Sequence, residues 1–382
     1  MMPDQTEVSP EVSTSTAQQD HIPVYRPDLS GNERAYVLDC VDSTWISSLG
    51  SYIDRFEGAV AEFTDSRHAV AVCNGTVALH LAFHCLGLGP GDEVIVPSFT
   101  YIASVNTIAQ TGATPVFCES RADDWLMDPD DVERRITPRT RAIVPVHLYG
   151  AACDMPALRA LADRHGIAVV EDCAEALGTT LDGRHVGTWS EAATFSFFGN
   201  KTVTTGEGGM VTTNDDAVAA RLRQVKGQGQ SLTRRYWHDV LGFNYRMTNI
   251  AAAIGTAQME RVRPILARKA EIARGYRARL GHAGVTFQRP LPGVVGSEWL
   301  VSLLLPRGAE REAVMASMAA AGVETRPVFF AAHHMPMYRS DGRLPVAEDI
   351  AARGISLPSF PTLTDADLDR VAEALTAALP AA

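Results

Sequence analysis

The sequence has no Cys-x-x-Cys pair, no apolar run long enough to cross a membrane and no excess of basic charge. Its six cysteines (Cys40, Cys73, Cys85, Cys118, Cys153 and Cys173) are scattered through apolar segments, which fits reduced, packed thiols better than a disulfide frame or a zinc site. That usage points to the cytoplasm. Residues 1–20 contain neither the basic nor the apolar part of a signal peptide, and no later stretch approaches the ~18 apolar residues of a membrane span. Lys and Arg number 34 against 45 Asp and Glu, a net charge of −11, so general attraction to nucleic acid or to anionic lipid is not expected. Aromatics are only 7%, but hydrophobic residues reach 46%, the balance of a soluble globular chain rather than a disordered or fibrous one.

The 382 residues are enough for two or three packed units. A Ser/Thr/Gln/Asp-rich start, residues 1–20, reads as a flexible tail. From about residue 65, short β-branched runs alternate with helical stretches, the pattern of an α/β domain with a mostly parallel sheet. Strands are predicted at Ala69–Val72, Glu93–Pro97, Thr114–Cys118, Ala142–His147, Ile167–Asp172 and Thr194–Phe198, with helices at Thr76–Leu86 and Met155–His165. Near Ile250 the rhythm changes to long helices, about 249–281, then an apolar strand Trp299–Leu305, a helix to about Ala321 and a terminal helix Asp365–Leu379. The expected division is a large domain over 21–255 and a smaller α/β domain over 256–382. Ligands of open α/β sheets collect at the carboxyl ends of the strands.

Three such ends carry chemistry. At Cys73-Asn74-Gly75-Thr76 a strand meets a helix, so free N–H groups, a hydroxyl and a close-approach glycine suit a phosphate, although an ordinary helix cap would look the same. Val169-Val170-Glu171-Asp172-Cys173-Ala174-Glu175 is an apolar strand that ends in carboxylates. A buried carboxylate is costly without a cation, so Asp172 calls for a fixed positive partner, which a pyridinium nitrogen would supply as well as a structural ion pair. Lys201 follows the apolar run Phe195-Ser196-Phe197-Phe198 and precedes Thr204-Thr205-Gly206-Glu207-Gly208-Gly209, a place where an amine can be desolvated enough to form a Schiff base. A phosphate cradle, a pyridinium partner and such a lysine are together what pyridoxal 5′-phosphate (PLP) requires.

Other patterns read differently. Gly199-Asn200-Lys201-Thr202 lacks the spacing of a Walker A loop, and Gly87-x-Gly89-x-Gly91 follows a helix rather than a strand, which disfavours a dinucleotide and hydride transfer. His80 and His84 lie four apart on a helix without a third ligand, so they read as packed histidines and no metal is expected. Asp123-Asp124 and Asp128-Pro129-Asp130-Asp131 read as a solvated loop and a helix start.

The segments Trp45-Ile46-Ser47-Ser48-Leu49-Gly50, Asn74-Gly75-Thr76, Pro97-Ser98-Phe99-Thr100-Tyr101, Glu171-Asp172-x-Ala174-Glu175, Ser196-Phe197-Phe198-Gly199-Asn200-Lys201 and Asn244-Tyr245-Arg246-Met247-Thr248 resemble, in this order, those of the DegT/DnrJ-type nucleotide-sugar aminotransferases, which are fold-type I PLP enzymes. The resemblance runs from about His21 to the end of the chain. It implies that Lys201 holds the cofactor and moves a proton, and that Asp172 pairs with the pyridinium. Tyr101 and Ala174 would lie against the two ring faces, with Gly75, Thr76 and Ser196 on the phosphate. Asn244 would reach the phosphate of a neighbouring subunit, implying a homodimer with shared sites.

Glu175 stands where the wider family commonly has His or Gln, near the cofactor's phenolic oxygen. The lysine argues for amino transfer over the related deoxygenation, in which His replaces it. Arg234, Arg235, Trp237, Arg246, Arg326, His333, His334 and Tyr338 match segments near the nucleotide sugar, although solvated or packed side chains would read the same. The implied reaction is amination of a nucleotide-linked 4-keto-6-deoxyhexose, first of all GDP-4-keto-6-deoxymannose, with L-glutamate as donor. Amination at C3, amination of another cyclic ketone, and a PLP-binding regulator without turnover remain as alternatives.

Overall fold

In a computed structural model of the protein, residues 21–231, 233–340 and 342–380 are described. The expected tail, residues 1–20, lies outside them.

Among the described residues, nine strands precede residue 214: β1 (His68–Val72), β2 (Glu93–Pro97), β3 (Thr114–Cys118), β4 (Thr140–Ile143), β5 (Ala168–Asp172), β6 (Thr180–Leu181), β7 (Arg184–His185), β8 (Ala192–Ser196) and β9 (Gly209–Thr213). Seven form one sheet in the order β1-β9-β8-β5-β4-β2-β3. The run from β8 to β3 is parallel, and β9 is antiparallel to both of its neighbours. Strands β2 and β9 are buried along their whole length; for β2, inside the parallel run, that is why it reads as a near-continuous apolar run rather than an alternating one. Five short strands follow: β10 (Thr286–Phe287), β11 (Val294–Val295), β12 (Ser302–Leu304), β13 (Arg326–Pro327) and β14 (Gly354–Ser356). Of these, β10-β12-β14-β13 make an antiparallel sheet, and β11 pairs with the β6–β7 hairpin.

Local chemistry explains where elements start and stop. Asn74 caps the helix Gly75–Cys85 by accepting from Val77 N–H, so that helix begins one residue before the predicted start. The predicted strand Ala142–His147 ends early, at Ile143, because Pro145 cannot donate to the ladder; its direction persists through Val144 N–H to Ile95 O and a bridge between Val146 and Asp172. The long helices expected over about 249–281 are two, Asn249–Glu260 and Val262–Leu280, and they divide at Arg261. Pro264 is the cause: it has no N–H for the Glu260 carbonyl and its ring would clash there, whereas it is tolerated in the first turn of a new helix.

Among the described residues, two apolar clusters form the interior. The larger surrounds the seven-stranded sheet and also takes in Trp299, Leu300, Val328 and Ala331. The smaller packs Ile272, Tyr276 and Leu280 of the helix Val262–Leu280 against β12, β14 and the terminal helix Asp365–Ala378. Tyr25 packs against both. No helix among the described residues is long and apolar enough to cross a membrane.

Candidate active site

Strand β5 sends two consecutive carboxylates to opposite faces of the sheet. Glu171 is fully buried and accepts from Gly187 N–H (2.7 Å), Trp189 N–H (3.0 Å), Ser190 Oγ (2.6 Å) and His147 Nε2 (3.3 Å). Because Cys153 N–H donates to His147 Nδ1 (3.1 Å), the ring proton sits on Nε2 and points at Glu171. Burial alone would raise the Glu171 pKa, but the His147 hydrogen bond and the other donors hold it below the usual value. Asp172, also buried, faces a cavity. Its carboxylate accepts from Ser104 Oγ (2.7 Å) and Ala174 N–H (3.1 Å). Burial still raises its pKa, against these hydrogen bonds and the Lys201 charge.

The cavity has a volume of about 500 Å³, and Asp172, Glu175 and Lys201 all line it. Lys201 Nζ lies 3.7 Å from Glu175 Oε1, and Glu175 Oε2 accepts from Tyr149 N–H (2.8 Å). Burial lowers the Lys201 pKa, with the charges of Glu175 and Asp172 opposing. It raises the Glu175 pKa to about 7, with Lys201 opposing. Lys201 Nζ also sits 3.9 Å from the centre of the Trp299 ring, a cation–π contact that favours the charged amine. Trp299 Nε1 donates to Asn200 O (2.7 Å), and Tyr25 Oη donates to Lys201 O (2.6 Å). Tyr149, held at φ 57°, stacks on Phe329 and Trp299 and closes one wall.

The cavity also meets the start of the helix Gly75–Cys85 beside Ser196, the last residue of β8. With Asn74 engaging Val77 N–H, the N–H groups of Gly75 and Thr76 remain to serve a ligand. Gly75 is required there, because a Cβ would stand 2.8 Å from Ser196 Cβ. Asn200 Oδ1, beside Lys201, is buried without a hydrogen-bond partner. A dry carboxylate, a dry amine and an anion cradle in one cavity fit a molecule carrying a cationic ring nitrogen, an aldehyde and a phosphate. PLP is such a molecule.

Of the residues predicted for the site, Gly75, Thr76, Tyr101, Asp172, Ala174, Glu175, Ser196, Lys201 and Arg326 line this cavity. Arg326 is held at its rim by Glu324 (3.3 Å). Asn244 and Arg246 are exposed, on the segment that bridges to Gly227 and Val72. Arg234 stacks on Trp237 and Arg235 on Tyr236, all on an exposed loop outside the lining. His333 is buried against Ser98 Oγ (2.6 Å), His334 lies near Glu348 (3.8 Å), and Tyr338 Oη donates to Asn106 (2.7 Å); none of the three lines the cavity.

His80 and His84 pack against Phe243, and His80 Nδ1 meets the Tyr245 hydroxyl. The acidic runs form the expected loop and helix start, with Asp123 and Asp130 exposed, but two of their carboxylates are not solvated. Asp124 is 1% exposed and paired with Arg121, and Asp131 lies against Arg134 and Arg135; only Asp128 is a simple cap. Sequence reading missed Tyr25, Tyr149, Phe329 and Trp299, which reach the site from distant segments. Trp299 had one usable signal, a large aromatic opening an apolar run.

Comparison with known proteins adds family to chemistry. Residues 27–376 match the DegT/DnrJ/EryC1/StrS aminotransferase family. GDP-perosamine synthase of Escherichia coli O157:H7 is 50% identical over 356 residues, covering 93% of this chain and 98% of that one. The Vibrio cholerae enzyme of the same name is 49% identical, covering 90% and 95%. Among solved structures, S. venezuelae DesV in complex with a ketimine intermediate superposes with a TM-score of 0.88 at 36% identity, covering 94% of this chain and 98% of that one. With a cavity at the carboxyl ends of its strands lined by groups suited to PLP and a match across most of its length, the chain belongs to the DegT/DnrJ/EryC1/StrS aminotransferase family and is a PLP-dependent sugar aminotransferase.

Proposed function

We propose that this enzyme converts GDP-4-keto-6-deoxymannose to the GDP-linked 4-amino sugar with L-glutamate as amino donor. The observation that carries this reading is the 50% identity to a GDP-perosamine synthase across nearly the full length of both chains. Amination at C3 has no comparable support.

In this reading Gly75, Thr76 and Ser196 hold the cofactor phosphate, Asp172 faces the ring nitrogen, and Tyr101 and Ala174 flank the ring. PLP, when bound, supplies an electron sink that accepts and returns an amino group. A ring cation beside Asp172 reverses the cost of its burial and keeps it ionised. Glu175 and Trp299 hold the Lys201 amine between them; once free of the cofactor, Lys201 Nζ is the base that moves a proton at the substrate carbon. Wall residues Tyr149, Phe329 and Trp299 exclude water. Arg326 at the rim, with Arg234, Arg235 and Trp237 on the exposed loop, serves the nucleotide sugar, as His333, His334 and Tyr338 do through the segment they order. The exposed Asn244 acts across a homodimer interface, where it meets the partner's phosphate site, and Arg246 on the same segment serves the nucleotide sugar.

The test supplies L-glutamate with GDP- and dTDP-linked 4-keto and 3-keto sugars and identifies the aminated carbon by NMR. Nitrogen at C4 of the GDP sugar is expected; nitrogen at C3, or a preference for the dTDP sugar, overturns the assignment. Borohydride reduction followed by peptide mapping is expected to find the pyridoxyl label on Lys201.

A further inference from the structure

Lys269 lies outside the cavity, on the helix Val262–Leu280, and is only 1% exposed. An ammonium in such a place needs acceptors. Its Nζ donates to the carbonyls of Trp299 (2.8 Å) and Ser359 (2.9 Å) and lies 5.3 Å from the centre of the Tyr25 ring. Among the described residues it forms no ion pair.

Two of these contacts lead to Lys201. Trp299, whose carbonyl Lys269 holds, presents its ring 3.9 Å from Lys201 Nζ and donates to Asn200 O. Tyr25, whose ring faces Lys269, donates its hydroxyl to the Lys201 carbonyl (2.6 Å). One residue therefore stands a single step from the reactive lysine by two independent routes, one to the amine and one to the main chain.

We propose that Lys269 is a positioning residue for amino transfer, fixing the Trp299 indole under the Lys201 amine and, through Tyr25, the backbone that carries that amine. This rests on the role of Lys201 given above. The electron-rich indole face favours the charged amine, in the same sense as Glu175 and Asp172, the charged groups that face it. Removing Lys269 takes the shared donor from two buried carbonyls and frees Trp299 to shift. A misplacement of ~1 Å near the chemistry costs up to ~100-fold in rate.

The test compares Lys269→Met and Lys269→Arg with the parent enzyme. Steady-state rates are measured on the holoenzyme, and in cofactor-free protein peptide-resolved acetylation follows the pH at which Lys201 becomes reactive. For Lys269→Met, kcat is expected to fall ~10- to 100-fold, with a smaller change in KM for the nucleotide sugar and a Lys201 midpoint at lower pH. Lys269→Arg, which keeps a cation and donors, is expected to restore both. A Lys269→Met protein with parental kcat and midpoint, but a lower melting temperature, overturns the proposal in favour of a purely structural lysine. If that variant does not fold, Trp299→Leu decides: its Lys201 midpoint is expected to drop, and an unchanged one overturns the proposal. Acetylation reads the amine without the cofactor, so a pyridoxyl label mapped away from Lys201 would refute the reading of the active site separately.

Discussion

Lys201 and Lys269 are both desolvated, and in both burial lowers the pKa, but their surroundings differ in kind. Lys201 opens onto a cavity and faces two carboxylates and an aromatic ring. Lys269 is enclosed, and its nearest partners are two backbone carbonyls. A depressed lysine pKa therefore does not identify a nucleophile by itself. Access and an open valence for a ligand distinguish the reacting amine from one that holds the scaffold.

The sharpest way to break this comparison is to exchange the expected losses. Lys201→Ala should lower glutamate-dependent amination by at least ~10²- to 10⁴-fold, the range associated with a positioned acid–base group, far beyond the loss for Lys269→Met. An activity assay in which Lys269→Met proves the more damaging would reverse the two roles. Next in size, Asp172→Asn should cost ~10²- to 10³-fold, as for removal of a group aimed at developing charge. It should also weaken cofactor binding, measurable by absorbance titration.

A smaller effect is the pH dependence of stability in cofactor-free protein. Lys269 has a pKa lowered to about 7 from about 10.5, so between those values the unfolded chain binds a proton that the folded chain does not, and stability should rise with pH. Glu175 has a pKa raised to about 7 from about 4.5; there the folded chain holds the extra proton, and stability should fall as pH rises through that window. Melting curves across pH 4.5 to 10.5 should show Glu175→Gln flattening the acidic limb and Lys269→Met the alkaline one. The same variant flattening both would show that the two groups are not independent. Smallest of all, Arg234→Ala on the exposed loop should change stability by no more than ~0.5 kcal/mol while raising KM for the nucleotide sugar.

The comparison also marks what sequence can carry. Lys201 and Asp172 were legible because each ends a short apolar run, and a strand end has few chemical uses for a charge. Strands β1 to β5 and β8 were legible for the same reason, as apolar runs between capped helices, whereas the two-residue β6 and β7 and the Gly- and Thr-containing β9 were not. Lys269 was not legible by residue type: helical spacing puts it on the stripe of Ile265, Ile272, Tyr276 and Leu280, but a lysine in a helix with Arg268, Glu271 and Arg274 ordinarily reads as a solvated charge. Tyr25 and Tyr149 escaped because their roles arise from contacts across more than 100 residues and, for Tyr149, from a left-handed backbone. Asp131 does sit in the first turn of a helix, but its burial and that of Asp124 were missed because an acidic run is ordinarily wet; arginines folded against them keep them dry.

The adjacency of Glu171 and Asp172 on β5 has a consequence for how this protein can diverge. The strand's side chains alternate between faces, so conservative exchange at Val169 or Val170 leaves both carboxylates where they are. Inserting or deleting one residue within the strand instead swaps them, presenting the carboxylate matched to four donors to the cavity and its neighbour to the donors. Lineages descending from this chain should accordingly vary in the composition of β5 long before they vary in its length.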